Sequence, residues 1–132
     1  MTHPSPGPPA DQLAALGQLQ QTVARLLEPV RHPRICATLA LCEETGEITR
    51  HVMAAETYGQ PIDQAALAAE LADTLIALME LATVYNIDLG SAIADKLENI
   101  RLRVPKWSAQ FGPSLALRRD CFDQLNNPPP AG

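Results

Sequence analysis

The spacing of the prolines is the feature that most constrains the fold of this chain. Seven of the 12 prolines lie in the first nine or the last five residues, and the others stand at positions 29, 33, 61, 105 and 113. Between these breaks, apolar residues recur every three or four positions, as in amphipathic helices. No run of β-branched residues alternates with polar ones, so strands are not predicted. We therefore expect an all-α protein.

The pattern predicts four main helices. We expect them at about residues 12–27, 33–57, 64–84 and 89–104, and a further short helix at about 114–125. Asp63 is the expected N-cap of the third helix, and Asp88 or Ser91 that of the fourth. Because the connections are short, we expect the helices to form an antiparallel four-helix bundle.

A chain of 132 residues favours a single domain. We expect this domain at residues 11–126, with disordered proline-rich tails at 1–10 and 127–132. The N-terminus has no signal-peptide pattern, and no apolar stretch is long enough to span a membrane. The three cysteines form no metal-type pair. By elimination, we expect a cytoplasmic protein.

The charge balance excludes two classes of partner. The chain has 15 acidic and 10 basic residues, a net charge of -5, and only 4% aromatic residues. A nucleic-acid polymer needs a basic face, and an anionic membrane surface needs a basic segment. We therefore expect neither partner.

Acidic residues fall at helical spacing on two consecutive predicted helices. They are Glu43, Glu44 and Glu47 on the second helix, and Glu70 and Asp73 on the third. Each set projects from one side of its helix, within an arc of roughly 100°. Leucines and other apolar residues flank both sets, so we expect the acids to face inward and each other. The alternative is a solvated face paired with basic residues, of which Arg50 is the nearest.

Clustered carboxylates repel one another unless a cation compensates them. Oxygen ligands favour hard cations, so we expect Mg²⁺ first and then Mn²⁺ or Ca²⁺. On the fourth helix, Lys96, Asn99 and Arg103 lie within an arc of about 60°. They are candidates for binding phosphate oxygens, although a solvated helix end would carry the same residues.

Three segments of the chain resemble the MazG-type all-α nucleoside triphosphate pyrophosphohydrolases. They are L-C-E-E-T-G-E-I at 41–48, E-L-A-D at 70–73 and D-L-G-S-A-I-A-D-K at 88–96. The signature of that superfamily is E-x-x-E followed after a gap by E-x-x-D, and here 22 residues separate Glu47 from Glu70. Dimeric dUTPases, dCTP pyrophosphatases and phosphoribosyl-ATP pyrophosphohydrolases are its relatives.

The resemblance implies Mg²⁺ held by four acids, with Glu43 as a fifth that binds a further metal or orients a water. The four are Glu44, Glu47, Glu70 and Asp73. It also implies hydrolysis between the α- and β-phosphates of a nucleoside triphosphate. Glu44 is our first candidate for the base that activates water, and Glu43 is its rival. Lys96 would hold the leaving phosphates, while Ile100 stands where relatives often carry an asparagine, four residues after this lysine.

The base pocket is less visible in the sequence. Arg34, Trp107 and Tyr58 are candidates. Aromatic residues such as Trp107 and Tyr58 are more often packing residues, and Arg34 is equally a loop residue. We interpret His51, one turn after Glu47, as a neighbour of the metal site or as a surface residue.

We expect a Mg²⁺-dependent nucleotide pyrophosphohydrolase with a role in nucleotide-pool house-cleaning, with Mn²⁺ as a substitute metal. One alternative is a dUTP or dUDP hydrolase. A redox protein with two metals would need Glu-x-x-His pairs, and the acidic motifs contain none. A non-catalytic helical binding or regulatory module is the third possibility. The resemblance and the alanine-rich third helix favour a homodimer or homotetramer.

Overall fold

The computed structural model describes residues 7–126, so the predicted disorder of the tails falls almost entirely outside the described part. Within these residues the chain is all-α and contains no strand. The helices are α1 Ala10–Leu26, a short 3₁₀ helix Glu28–Val30, α2 Arg34–Glu56, α3 Gln64–Val84 and α4 Leu89–Asn126. The predicted all-α class and the four helices are thus confirmed.

Short polar side chains define where two helices begin, as the sequence predicts. The Asp63 carboxylate accepts a hydrogen bond from the Ala66 N–H at 3.0 Å and caps α3. Asp88, rather than Ser91, caps α4, because its carboxylate accepts from the Ser91 N–H at 2.8 Å. Asn86 adopts a left-handed φ of 55° in the turn between the two helices. Asparagine tolerates that conformation better than most residues.

Helices α2 and α3 pack against each other as an antiparallel pair. His32, just before α2, contacts Glu80 late in α3, whereas His51, late in α2, lies beside Glu70 early in α3. The buried apolar side chains of residues 9–93 are small apart from one methionine: Val23, Ala37, Ala77, Met79 and Ala82. Small residues allow close approach of the helices, and α1 packs on α3 at this core.

A buried glutamine ties α1 to the turn that precedes α4. The Gln20 side-chain amide donates to the Ile87 carbonyl at 2.7 Å and accepts from the Leu89 N–H at 2.9 Å. Next to this turn, a Cβ at Gly90 would lie 2.8 Å from the Leu13 carbonyl oxygen. Only glycine fits at that position without a shift of the backbone.

The prediction that the fourth helix ends before Pro105 is wrong. Helix α4 continues to Asn126 and contains both Pro105 and Pro113, so no separate helix covers 114–125. Each proline removes one hydrogen bond from the helix, but no glycine, asparagine or aspartate lies beside Pro105 to turn the chain. Residues Pro9–Ile93 form one compact unit and residues 94–126 belong to a second.

Candidate metal centre

The antiparallel packing of α2 and α3 brings three carboxylates together. Glu44 lies near the middle of α2, and Glu70 and Asp73 lie one turn apart in the first half of α3. One carboxylate oxygen from each residue lies within 4.8 Å of those from the other two. Oxygen ligands on opposite sides of Mg²⁺ are about 4.2 Å apart, since each Mg–O distance is about 2.1 Å. The group therefore has a size that suits one divalent cation.

The carboxylates lie at the surface of the unit that contains residues 9–93, and not in its interior. Glu44 is half-buried, the Glu70 side chain is 23% exposed, and Asp73 is exposed. The apolar side chains expected to enclose the acids are themselves open: Leu39 is 60% exposed, Leu71 52% and Leu75 44%. The expectation of an inward-facing cluster is therefore corrected. At helical spacing, Leu71 and Leu75 project at least about 100° away from Glu70 and Asp73 around α3, so they cannot enclose these acids.

Within the cluster, the neighbouring carboxylates act most clearly on the pKa of Glu44. Its pKa is raised above the usual 4.5, first by partial burial and then by repulsion from Asp73 and Glu70. Glu43 and Glu47 add to this repulsion. Among residues 7–126, no lysine or arginine forms an ion pair with Glu44, Glu70 or Asp73. A cation at this position would therefore relieve the repulsion.

The other two predicted acids stand beside this group. The Glu47 carboxylate pairs with Arg50, whose Nε lies 2.8 Å from Glu47 Oε2. Both side chains are largely exposed, and such a surface pair contributes at most about 1 kcal/mol. It is therefore weak enough to be exchanged for a cation. Glu43 is exposed, and its place in the metal set stays a prediction.

His51 also lies beside the cluster. Its Nε2 atom is 3.7 Å from Glu70 Oε1, and both side chains are about four-fifths buried. This agrees with the interpretation of His51 as a neighbour of the metal site.

Sequence reasoning missed a second histidine–carboxylate pair, between His32 and Glu80. Glu80 is buried, and it accepts from the His32 backbone N–H at 3.0 Å and contacts the His32 ring Nδ1 at 3.0 Å. Burial acts to raise the pKa of Glu80, but the hydrogen bonds from His32 and the nearby charge of Arg31 bring it below the usual value. The sequence does carry one sign of this pair, because Glu80 is an acid within the largely apolar stretch from Thr74 to Leu89.

The candidate nucleotide-binding residues are dispersed along the chain. Lys96, Arg103 and Trp107 lie exposed on α4, and so does Asn99, whose side-chain amide donates to the Asp95 carbonyl at 2.9 Å. The Arg34 guanidinium lies 5.3 Å from the centre of the Tyr85 ring. Tyr58, just after α2, lines a shallow apolar groove together with Gly46 and Met53. Their roles in phosphate or base binding stay predictions.

The donor set of the cluster suits a hard cation. Glu44, Glu70 and Asp73 offer only carboxylate oxygens, which are the ligands that Mg²⁺ and Mn²⁺ prefer. Three carboxylates leave room for phosphate oxygens and water in an octahedral shell. Separately, none of the helices in the described part of the chain has the length and apolar character needed to cross a membrane.

Comparison with known proteins identifies the family of the chain. The family model of the MazG nucleotide pyrophosphohydrolase domain matches residues 35–108, which is more than half of the 132 residues. The match contains both acidic motifs and Lys96. No curated protein matches the chain, and no solved structure matches it.

Proposed function

The chain belongs to the family of MazG nucleotide pyrophosphohydrolase domains, and we propose that it hydrolyses a nucleoside or deoxynucleoside triphosphate between the α- and β-phosphates. The products would be the monophosphate and pyrophosphate. The observation that carries this proposal is the group of carboxylates from Glu44, Glu70 and Asp73 on facing helices. A role in removing surplus or non-canonical nucleotides in the cytoplasm would follow from this chemistry.

In this proposal, Glu44, Glu47, Glu70 and Asp73 hold Mg²⁺, or Mn²⁺ in its place, and Glu43 assists them. When bound, the cation supplies positive charge next to the phosphate oxygens, where negative charge develops during phosphoryl transfer. For Glu47 to bind the cation, its ion pair with Arg50 must break. Because the pair lies at the surface, breaking it costs little free energy.

Glu44 is the proposed general base, with Glu43 as its rival. The Glu44 carboxylate lies within 4.8 Å of carboxylate oxygens of Glu70 and Asp73, and therefore next to the proposed cation. It would take a proton from water while the water oxygen bonds to the α-phosphorus. The bond from that phosphorus to the oxygen bridging to the β-phosphate would then break.

Substrate binding is assigned to residues outside the acidic cluster. Lys96, Asn99 and Arg103 remain the candidates for binding phosphates, and Trp107 remains a candidate for the nucleotide base. Arg34 and Tyr58 stand at opposite ends of α2, roughly 35 Å apart at about 1.5 Å per residue, so only one of them can contact a given base within one chain. The contact of Arg34 with the Tyr85 ring favours Arg34, because it forms a flat cationic surface on which a base can stack.

We further propose that the chain acts as a homodimer or homotetramer. The exposed side chains of Leu39, Leu71 and Leu75 support this, because a second copy could cover them.

The test is pyrophosphate and phosphate release from a panel of nucleoside tri- and diphosphates, with and without Mg²⁺. We expect Mg²⁺-dependent pyrophosphate release, and its loss by at least about 100-fold in Asp73→Asn and Glu47→Gln. Glu56→Gln, an exposed acid at the end of α2, is the matched control. Phosphate without pyrophosphate would favour a diphosphate hydrolase such as the dUDP type. Full activity in Asp73→Asn would exclude the metal site proposed here.

A further inference from the structure

Beyond the acids themselves, one side chain in the unit of residues 9–93 is placed to control the metal centre. We propose that His51 is a positioning residue, which holds the carboxylate of Glu70 in the orientation that binds the cation. The proposal rests on the metal site of the proposed function. It adds to that site a residue that lies outside both acidic motifs.

The first argument is the place of His51 on α2. It follows Glu44 by seven residues, or about two helical turns, so both side chains project from the same face of the helix, roughly 20° apart. Because α3 runs antiparallel to α2, the later residue on α2 faces the earlier one on α3. His51 accordingly lies beside Glu70, with its Nε2 3.7 Å from Glu70 Oε1.

The second argument is that His51 lies outside the group of ligands and contacts only one of its members. The three carboxylates have oxygens within 4.8 Å of one another, and His51 is not part of that group. The distance of 3.7 Å exceeds a hydrogen bond, and a movement of about 0.7 Å in either side chain would close it. The imidazole N–H would then bind one oxygen of Glu70 and leave the other for the cation.

The third argument is partial burial. The His51 and Glu70 side chains are only 19% and 23% exposed. In the neighbouring ion pair on α2, by contrast, Glu47 is 42% exposed and Arg50 is 66% exposed. A contact shielded from water is stronger and better fixed than a surface pair. Hydrogen-bonding partners of metal ligands typically contribute 10- to 100-fold in metal affinity.

The experiment measures Mn²⁺ binding to the full chain without nucleotide, from the loss of the free Mn²⁺ signal in electron paramagnetic resonance. We expect His51→Ala to weaken binding by about 10- to 100-fold. His51→Gln keeps an N–H donor and should remain within about threefold of the parent chain. This recovery separates positioning from a general structural effect, and melting curves check that both variants are folded.

His32→Gln is the matched control, because His32 also contacts a glutamate, Glu80, on the same helix pair. It should lower stability without changing Mn²⁺ affinity. Unchanged affinity in His51→Ala would overturn the role of His51 while leaving the metal site intact. A parent chain that binds no Mn²⁺ would overturn the metal site and the role of His51 together. Equal losses in His51→Ala and His51→Gln would make the histidine itself a ligand, against our proposal.

Discussion

At the scale of single residues, Glu44 is the side chain with the clearest electrostatic conflict. A raised carboxyl pKa means that the folded chain holds the proton more tightly than the unfolded chain. Ionisation above that pKa therefore costs stability at neutral pH. We predict that, in the presence of a chelator at pH 7, Glu44→Gln melts at a higher temperature than the parent chain.

The pH dependence and the effect of metal check the cause of this difference. The difference in melting temperature should disappear as the pH falls below the ordinary value of 4.5, where Glu44 is protonated in both states. Excess Mg²⁺ should reverse the order, because the parent chain gains the binding free energy of the ion. Glu28→Gln, at an exposed position, should show neither effect. A less stable Glu44→Gln variant in chelator would contradict this account of the cluster.

The sequence predicts the acidic cluster because helical spacing alone decides which carboxylates share a face. Glu70 and Asp73 must project from one side of α3 wherever that helix packs. The ion pair between Glu47 and Arg50 matches the alternative of a solvated face paired with basic residues. Whether it forms depends on a choice of rotamer between neighbours three residues apart. The pairing of His32 with Glu80, 48 residues along the chain, was missed because only the packing of α2 on α3 brings them together.

At the scale of elements, this His32–Glu80 pair fixes the start of α2 to the later part of α3. The Glu80 carboxylate is buried and bound by both the backbone N–H and the ring of His32. We predict that Glu80→Ala destabilises the chain by about 1.5–3 kcal/mol at pH 7, the usual contribution of hydrogen bonds to a charged group. Urea unfolding at equilibrium measures it.

The contribution of Glu80 to the free energy of unfolding depends on pH in the opposite direction to that of Glu44. The pKa of Glu80 is lowered in the folded chain, so its contribution is complete above the ordinary value of 4.5. It is lost as the pH falls through the lower, folded-state pKa. The stability difference between parent and Glu80→Ala should therefore shrink below pH 4.5. A difference that stays constant down to pH 3 would assign the loss to packing instead.

Helix α4 shows that local sequence signals do not always predict where a helix ends. Pro105 and Pro113 predict breaks, because proline costs an interior helix position about 3 kcal/mol. The helix nevertheless runs through both prolines. No turn former lies beside Pro105, but Gly112 and Ser114 flank Pro113, so local turn chemistry does not account for the continuation there. At Asp88, whose side chain caps the helix, the predicted boundary is correct.

At the scale of the whole molecule, α2 and α3 leave large apolar side chains uncovered within the described chain. Leu39, Leu71, Leu75 and Ile76 are each at least 40% exposed. Leu71 and Leu75 lie one turn apart on one side of α3, and an exposed apolar patch of this kind typically marks an interface.

We predict from this surface that the chain self-associates in solution and that Leu71→Glu shifts it towards the monomer. A buried glutamate would lie unpaired against apolar side chains of the partner, at a cost well above the transfer free energy of one leucine. Sedimentation velocity across protein concentrations measures the shift. Gln21→Glu adds the same charge at an exposed polar position of α1 and should leave the oligomer unchanged. A parent chain that stays monomeric at every concentration would contradict the predicted self-association.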